Sequence, residues 1–166
     1  AALALGTTLA AAAGAGPTDP QIAAIVVTAN QVDIEAGKLA KANSQSKEVQ
    51  TFAEMMVTDH SRVNESASAL VKKLKVTPEG NATSESLKKG GDAGLARLRK
   101  LEGPEFDRAY IDNEVTYHQA VLDAIDKTLI PSAQNAELKN LIVKVRPAID
   151  DHLQHAMHLQ DDLGKK

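Results

Sequence analysis

The sequence predicts an all-α protein, a four-helix bundle with a long crossover between helices two and three. Four stretches repeat apolar residues at the 3.6-residue period of a helix with one buried face. The 166 residues include only two Phe, two Tyr and no Trp, so the core is aliphatic and suits closely packed helices. A polar segment, and farther along the chain proline and glycine, separate the four stretches and leave one long connection in the middle.

The first helix is expected to begin at Asp19, an N-cap that is followed by Pro20 at the first helical position. Gly37 lies beside its apolar stripe and should let a neighbouring helix approach closely. The stripe itself consists of Ile22, Ile25, Val26, Ala29, Val32, Ala36, Leu39 and Ala40.

The second helix follows the polar segment NSQS at residues 43–46 and ends before Pro78 and Gly80. Residues 76–103 are the least regular part of the sequence. The segment GGDAGLARLRKLEG within them could hold a short helix, and we treat the whole as the crossover. The stripe of the second helix consists of Val49, Phe52, Ala53, Met56, Val63, Ala67, Leu70, Val71 and Leu74.

The third helix is expected to start at Gly103 and Pro104 and to stop at Pro131. The fourth should start near Ser132 or Asn135. Because a proline inside a helix lacks an N–H and crowds the carbonyl four residues earlier, Pro147 should kink or loosen this helix. The apolar residues of these two helices are Tyr110, Ile111, Val121, Leu122, Ile125, Leu129, Leu138, Leu141, Val145, Ile149, Ala156, Leu159 and Leu163.

Residues 1–16, AALALGTTLAAAAGAG, are small or apolar and resemble the end of the apolar stretch of a secretory signal. The run LAAAAGAG offers small residues for a signal peptidase, and the missing basic segment indicates that the sequence begins inside the signal. We therefore expect residues 1–18 to be a signal remnant or flexible leader. Residues 19–166 should form the bundle domain of an exported protein, with no transmembrane span in the mature chain.

Charge and composition restrict the partners of the chain. The net charge is −3 and the 19 Lys and Arg residues are scattered, which argues against a nucleic-acid partner. No cysteine is present, so a metal would have to be bound by His, Asp, Glu or Met. Met55 and Met56 suit core packing better than copper binding.

The histidines fall on different faces when about 100° is taken per residue. His60, His118 and His152 lie on the apolar stripes of the second, third and fourth helices and are expected to point inward. His155 lies about 60° from the axis of the stripe and should flank a site. His158 lies farther round and should be solvated.

Three inward histidines on three helices indicate a metal site, because buried imidazoles without partners would be costly. Pairing with Asp59, Glu114 and Asp151 is the metal-free alternative. The first helix offers Asp33 and Glu35, of which Glu35 lies at the edge of the stripe, one turn before Leu39. The predicted metal ligands are Glu35, His60, His118 and His152, with Glu114, His155 and Asp59 as a second tier. Three histidines and a carboxylate suit zinc, with iron, copper or nickel as alternatives.

The segments AEMMVTDHSRVN, GPEFDRAYIDNEVTYHQAVL, VRPAIDDHLQHA and DIEAGKLA resemble a ferritin-like family of exported bacterial proteins. This family is known as domain of unknown function 4142, or predicted outer membrane protein. The resemblance covers most of residues 20–163 and leaves the leader outside. It implies a ferritin-like helical bundle in the periplasm or at the outer membrane, and it implies no reaction.

The preferred function is an exported metal-binding bundle with a structural, storage or stress-related role in the envelope. A metal-free envelope interaction protein is the alternative, with a homodimer or an envelope partner as possible assemblies. A di-metal oxidoreductase is disfavoured, because di-iron bundles need two Glu-x-x-His motifs. Here Glu114 and His118 are four residues apart, and no Glu lies near His152. No nucleophile constellation points to an enzyme, although the sequence does not decide whether such a metal site would be open for catalysis.

Overall fold

The protein is described by a computed structural model that covers residues 16–165. Residues 1–15 of the predicted leader lie outside the described part. Within the described part the chain is all-α, as predicted, and contains no strand. The helices are α1 (Asp19–Asn43), α2 (Lys47–Leu74), α3 (Ala82–Leu98), α4 (Gly103–Ala124), a π-helical turn (Ile125–Leu129), α5 (Ile130–Ser132) and α6 (Ala136–Gly164).

The predicted crossover is the main correction, because most of it folds into the 17-residue helix α3. Asn81 caps this helix by accepting hydrogen bonds from the backbone N–H groups of Thr83 (2.9 Å) and Ser84 (3.1 Å). Leu95 and Leu98 are buried and join the core. The glycines that suggested irregular structure are therefore inside a helix, where packing outweighs their poor helix propensity.

The helices meet in a defined pattern. α1 packs mainly on α2 and α3, and α4 packs mainly on α6. The predicted close approach at Gly37 is confirmed, since a Cβ atom there would lie 3.0 Å from the carbonyl oxygen of Ala53 on α2. Asp19 is in the first turn of α1 rather than its N-cap, which is Thr18. The Asp19 carboxylate instead accepts hydrogen bonds from the backbone N–H groups of Gln134 and Asn135, each at 2.9 Å.

Proline and asparagine residues mark the boundary between α4 and α6. The π-helical turn ends two residues before Pro131, which has no N–H to donate to a carbonyl, and α5 ends one residue after this proline, at Ser132. Asn135 caps α6 by accepting from the backbone N–H groups of Glu137 and Leu138. Pro147 does not end α6, which continues through it to Gly164.

Two apolar clusters fill the two ends of the interior. One contains Phe52, Met56, Phe106, Tyr110 and Leu159 among others, and the second is built from the residues Ile22, Ile25, Leu122, Leu129, Ile142, Ile149 and Leu153. Polar side chains from α1, α2, α4 and α6 are buried at chain positions between these clusters. We call this the polar layer, and define it by Asp33, His60, Glu114, His118 and His152.

No helix within residues 16–165 has both the length and the apolar character that a membrane crossing requires.

The neighbouring glycines of α3 provide a test of its packing. A Cβ atom at Gly91 would lie 2.7 Å from both Val32 methyl groups, whereas one at Gly90 would meet nothing within 4 Å. We expect Gly90→Ala to stabilise the fold by about 0.5–1 kcal/mol through helix propensity. Gly91→Ala should destabilise it by about 1 kcal/mol, since overpacking costs roughly 1–3 kcal/mol. Urea denaturation measures both, and equal stabilisation by both variants would contradict the packing of α3 on α1.

Candidate metal centre

Four helices contribute side chains to the polar layer that could bind a metal. Asp33 comes from α1, His60 from α2, His118 from α4 and His152 from α6, and none is more than 4% exposed. The three imidazole rings form a nearly equilateral triangle, with centroid separations of 5.3 Å (His60–His152), 5.5 Å (His118–His152) and 5.6 Å (His60–His118). One ring nitrogen from each of the three lies within 4.8 Å of the others. The rings therefore share one small volume.

The outer nitrogen of His60 is held by Asn30. The Asn30 Nδ2 donates to the Val26 carbonyl (2.9 Å), so its Oδ1 is left as an acceptor, 2.7 Å from His60 Nδ1. The proton of a neutral His60 is therefore on Nδ1, where it is donated to Asn30. The inward Nε2 then carries a lone pair, and it makes no hydrogen bond of good geometry.

The same arrangement occurs at the other two rings. His118 Nδ1 donates to the main-chain carbonyl of Glu114 at 3.0 Å, and His152 Nε2 donates to Asp59 Oδ2 at 3.2 Å. A carbonyl and a carboxylate only accept, so His118 Nε2 and His152 Nδ1 carry the lone pairs. Both of these nitrogens are buried without a hydrogen-bond partner. Each of the three histidines thus has an anchored outer nitrogen and an inward nitrogen that makes no hydrogen bond of good geometry.

The Asp33 carboxylate lies beside two of these inward nitrogens. Its Oδ2 atom lies 2.6 Å from His60 Nε2 and 3.4 Å from His118 Nε2. Burial acts to raise the pKa of Asp33, but the neighbouring His60 and His118 together hold that pKa below its ordinary value. Asp33 is therefore the negative group of the cluster.

Burial lowers the pKa values of both His118 and His152 below 6.5, and the carboxylates of Asp33 and Asp59 only partly oppose that effect. Both rings are neutral at pH 7, and a neutral imidazole is the form that binds a metal.

Glu114 is the second carboxylate of the polar layer, and Tyr110 lies near it on α4. Glu114 is fully buried, and burial together with the neighbouring Asp33 raises its pKa well above the ordinary value. Tyr110 lies one turn earlier, also fully buried, and its pKa is raised by burial and by the charges of Glu114 and Asp33. One donor atom of Glu114 lies within 4.8 Å of one donor atom each of Asp33 and His118, and Glu114 Oε2 is 3.4 Å from His118 Nδ1.

Glu35 is the predicted ligand that the structure places elsewhere. Its side chain is exposed and accepts a hydrogen bond from Gln31 Nε2 at 3.0 Å. The physical reason is helical periodicity: at about 100° per residue, Glu35 is about 140° away from Ala40 around α1, whereas Asp33 is about 20° away. Ala40 is fully buried. The carboxylate that reaches the histidines is therefore Asp33.

The second-tier residues have different positions. Glu114 is inside the polar layer, whereas Asp59 is partly exposed and contacts it from outside through His152. His155 is half-buried and packs edge-on against Phe52, with ring centroids 5.2 Å apart, and so faces the apolar core. His158 is exposed, as predicted, and lies 3.4 Å from Asp162.

Sequence reasoning missed the roles of Asn30 and Tyr110. Asn30 falls three residues before Asp33, on the same face of α1, and this spacing is a signal that could have found it. The role of Tyr110 has no such signal, because a tyrosine on an apolar stripe is normally interpreted as a residue of the hydrophobic core.

Comparison with family models found one that matches residues 4–159, described as a domain of unknown function (DUF4142). The match begins within the predicted leader, which we had expected to lie outside the resemblance. Comparison with curated proteins and with solved structures found no match. Because the family model covers nearly the whole chain, the protein belongs to this family of unknown function.

Proposed function

We propose that the protein is a metal-binding helical domain of the cell envelope, in which Asp33, His60, His118 and His152 hold one zinc ion. In this proposal α1, α2, α4 and α6 form a ferritin-like four-helix bundle, with α3 as an additional helix on α1. The observation that carries it is the set of three buried, inward ring nitrogens within 4.8 Å of one another, two of which lie beside the Asp33 carboxylate.

The anchored outer nitrogens support the proposal. Histidines that bind metals usually donate their other N–H to a carboxylate, a backbone carbonyl or a similar acceptor, which fixes the ring and its tautomer. Here the three acceptors are the Asn30 amide oxygen, the Glu114 carbonyl and the Asp59 carboxylate. His118 and His152 therefore present a lone pair before any metal arrives, and the metal would replace the proton that His60 Nε2 shares with Asp33 Oδ2.

A proton satisfies this cluster less well than a metal. The 2.6 Å contact between His60 Nε2 and Asp33 Oδ2 joins two acceptors, so a proton or a cation must lie between them. One shared proton would leave His118 Nε2 and His152 Nδ1 without partners, at a cost of about 1–3 kcal/mol for each buried group. One metal ion would satisfy all four side chains.

Zinc suits the donor set. Four-coordinate zinc takes imidazole nitrogens and carboxylate oxygens at about 2.0–2.2 Å, which separates tetrahedral donors by roughly 3.3 Å. The distance of 3.4 Å between Asp33 Oδ2 and His118 Nε2 is close to this value, whereas the 2.6 Å between Asp33 Oδ2 and His60 Nε2 is shorter and would lengthen when the metal replaces the shared proton. Because four side chains complete a tetrahedral shell, we infer a structural role, in which the metal joins four helices. Iron, copper and nickel accept similar ligands and are alternatives.

Metal analysis of tag-free protein tests the proposal. Mass spectrometry of protein purified without an affinity histidine tag should find about one zinc ion per chain after dialysis, as expected for a closed four-ligand site. Zinc should also raise the thermal midpoint of the metal-free protein, because it binds only the folded state. A chain that neither retains a metal nor gains stability from added metal would instead support the metal-free interaction protein.

Zinc binding should depend on pH in a defined direction. Protons compete with the metal for the ring nitrogens, and the pKa values of His118 and His152 lie below 6.5. Affinity should therefore change little above pH 6.5 and fall below it. The metal-free protein should also lose stability below pH 6.5, because the unfolded chain then binds protons that the folded rings do not. Calorimetric zinc titrations between pH 5 and 8 measure this, and stronger binding at pH 5 would contradict it.

We also propose that the protein is exported, on the grounds of its small and apolar residues 1–16. N-terminal sequencing of the protein from its native host should then begin between Gly14 and Asp19. Cytoplasmic protein that keeps residues 1–13 would contradict export.

A further inference from the structure

An open groove with a volume of about 570 Å³ lies between α1, α3 and α4. It forms because α3 packs closely on α1 and only loosely on α4. The small residues of α3 widen it further, since a Cβ atom added to Gly90 in its wall would meet nothing within 4 Å. Binding sites for small molecules usually have volumes of roughly 300–1,000 Å³, so the groove has room for an organic ligand.

A second, smaller space of about 110 Å³ lies inside the bundle, in the apolar cluster that contains Ile149. The groove and this inner cavity share part of their walls, namely the side chains of Thr83, Leu87, Tyr117 and Ala120. The two spaces are therefore adjacent. Together they make a path from the surface into the apolar interior.

Water is a poor occupant of the inner cavity, because the polar side chains in its walls already have partners. The Asn30 amide donates to a main-chain carbonyl and accepts from His60 Nδ1. The Tyr117 hydroxyl donates to a main-chain carbonyl of α1 at 2.8 Å. Apart from Thr83, the other residues around the cavity are apolar. An engineered apolar cavity of about 150 Å³ stays dry and takes up benzene, so an apolar group suits this cavity better than water does.

The walls also restrict the charge of a ligand. Among the residues that the structure describes, no Asp, Glu, Lys, Arg or His lines the groove or the inner cavity. The polar groups of the groove include the hydroxyls of Thr83, Ser86 and Thr116 and the amide of Asn113. A charged head group would lose hydration there without gaining a counter-charge, whereas a hydroxyl could exchange hydrogen bonds with these groups. An uncharged head group is therefore favoured.

We propose that the groove and the inner cavity bind an uncharged amphiphile with a single hydrocarbon chain. The chain passes Ala120 and ends in the inner cavity, and the hydroxyl-bearing head stays in the groove. This ligand site goes beyond the proposed function and does not depend on zinc, because none of the four proposed zinc ligands lines either space.

Calorimetric titration of the full chain with hexanol, octanol and decanol tests the proposal. We expect one molecule to bind per chain. Its affinity should rise about fourfold for each added CH₂ group, the equivalent of about 0.8 kcal/mol, until the chain fills the cavity. Octanoate and octylammonium should bind at least about tenfold more weakly than octanol, since their charges find no counter-charge in the groove.

Two variants that fill the path make the result specific. Ala120 is exposed where the two spaces meet, so Ala120→Phe has room for the ring and should abolish octanol binding. Gly90→Leu should weaken binding by filling the groove, and the open space around Gly90 should let this variant fold. The matched control is Ala148→Phe, which adds the same ring to an exposed alanine of α6 outside both spaces and should bind octanol as the parent does.

Thermal unfolding of each variant establishes that it is folded before its binding is compared. The ligand site is overturned if octanol does not bind the parent, or if either charged analogue binds as tightly as octanol. It is also overturned if a folded filling variant binds octanol as the parent does, or if Ala148→Phe loses binding to the same extent.

Discussion

Replacing His152 with alanine is expected to remove zinc from the purified protein. His152 is the only described donor that α6 contributes to the cluster, and its bare Nδ1 is buried. Loss of a direct ligand should lower zinc affinity by more than the roughly 10–100-fold typical for loss of an outer hydrogen-bond partner. A chelator should lower the thermal midpoint of the parent and hardly change that of His152→Ala, because the variant has no metal-linked stability to lose.

Two other histidines on α6 serve as matched controls. His158 is exposed, so His158→Ala should keep the zinc content and the response to chelator of the parent. His155 packs against Phe52, and His155→Ala should lower stability through that contact while zinc content stays unchanged. Equal zinc content in the parent and in His152→Ala, after identical purification, would exclude His152 as a ligand.

Asp33→Asn is expected to have opposite effects on the metal-bound and metal-free proteins. The amide keeps the shape of the carboxylate but removes its charge, so zinc binding should fall sharply. At a zinc concentration 100 times the dissociation constant, the parent gains about 2.7 kcal/mol from the metal, and the variant should lose this gain. In chelator, however, the variant should be at least as stable as the parent, because the new NH₂ group can donate to His60 Nε2.

Glu35→Gln is the control for this prediction, two residues away on the same helix. Glu35 is exposed and pairs with Gln31, so the substitution should change neither zinc content nor the thermal midpoint by more than a surface mutation does, about 0.5 kcal/mol. Loss of zinc in Glu35→Gln with retention in Asp33→Asn would restore the ligand set predicted from the sequence. Metal analysis and thermal unfolding of the two variants separate these outcomes.

Much of the fold could be predicted because helical periodicity is local. The apolar residues of α1, α2, α4 and α6 recur at the period of a helix, and the same wheels placed His60, His118 and His152 inward. The position of α3 could not be predicted in this way. Its Gly90, Gly91 and Gly94 suggest a loop when only neighbours in sequence are considered. The contact of Gly91 with Val32 depends on a residue far away in the chain.

The choice between Asp33 and Glu35 shows the limit of local reasoning within the site. Both carboxylates lie near the apolar stripe of α1. The sequence analysis chose Glu35 because it lies at the edge of this stripe, one turn before Leu39. The outcome depends on the rotation of α1 against α2, and these two helices approach each other closely at Gly37. A rotation that buries Ala36 and Ala40 turns Asp33 inward and Glu35 outward.

By itself, the sequence determined the helical class, four of the helical stretches and the inward faces of three histidines. These follow from residue spacing, which needs no knowledge of neighbouring helices. Only the tertiary structure decided that the three rings meet, that Asp33 is their carboxylate, and that their outer nitrogens are anchored by Asn30, Glu114 and Asp59. These contacts join residues from different helices, except the hydrogen bond between His118 and Glu114, which lies within α4. Helix rotation and side-chain packing therefore set them, and a pattern along one helix does not carry that information.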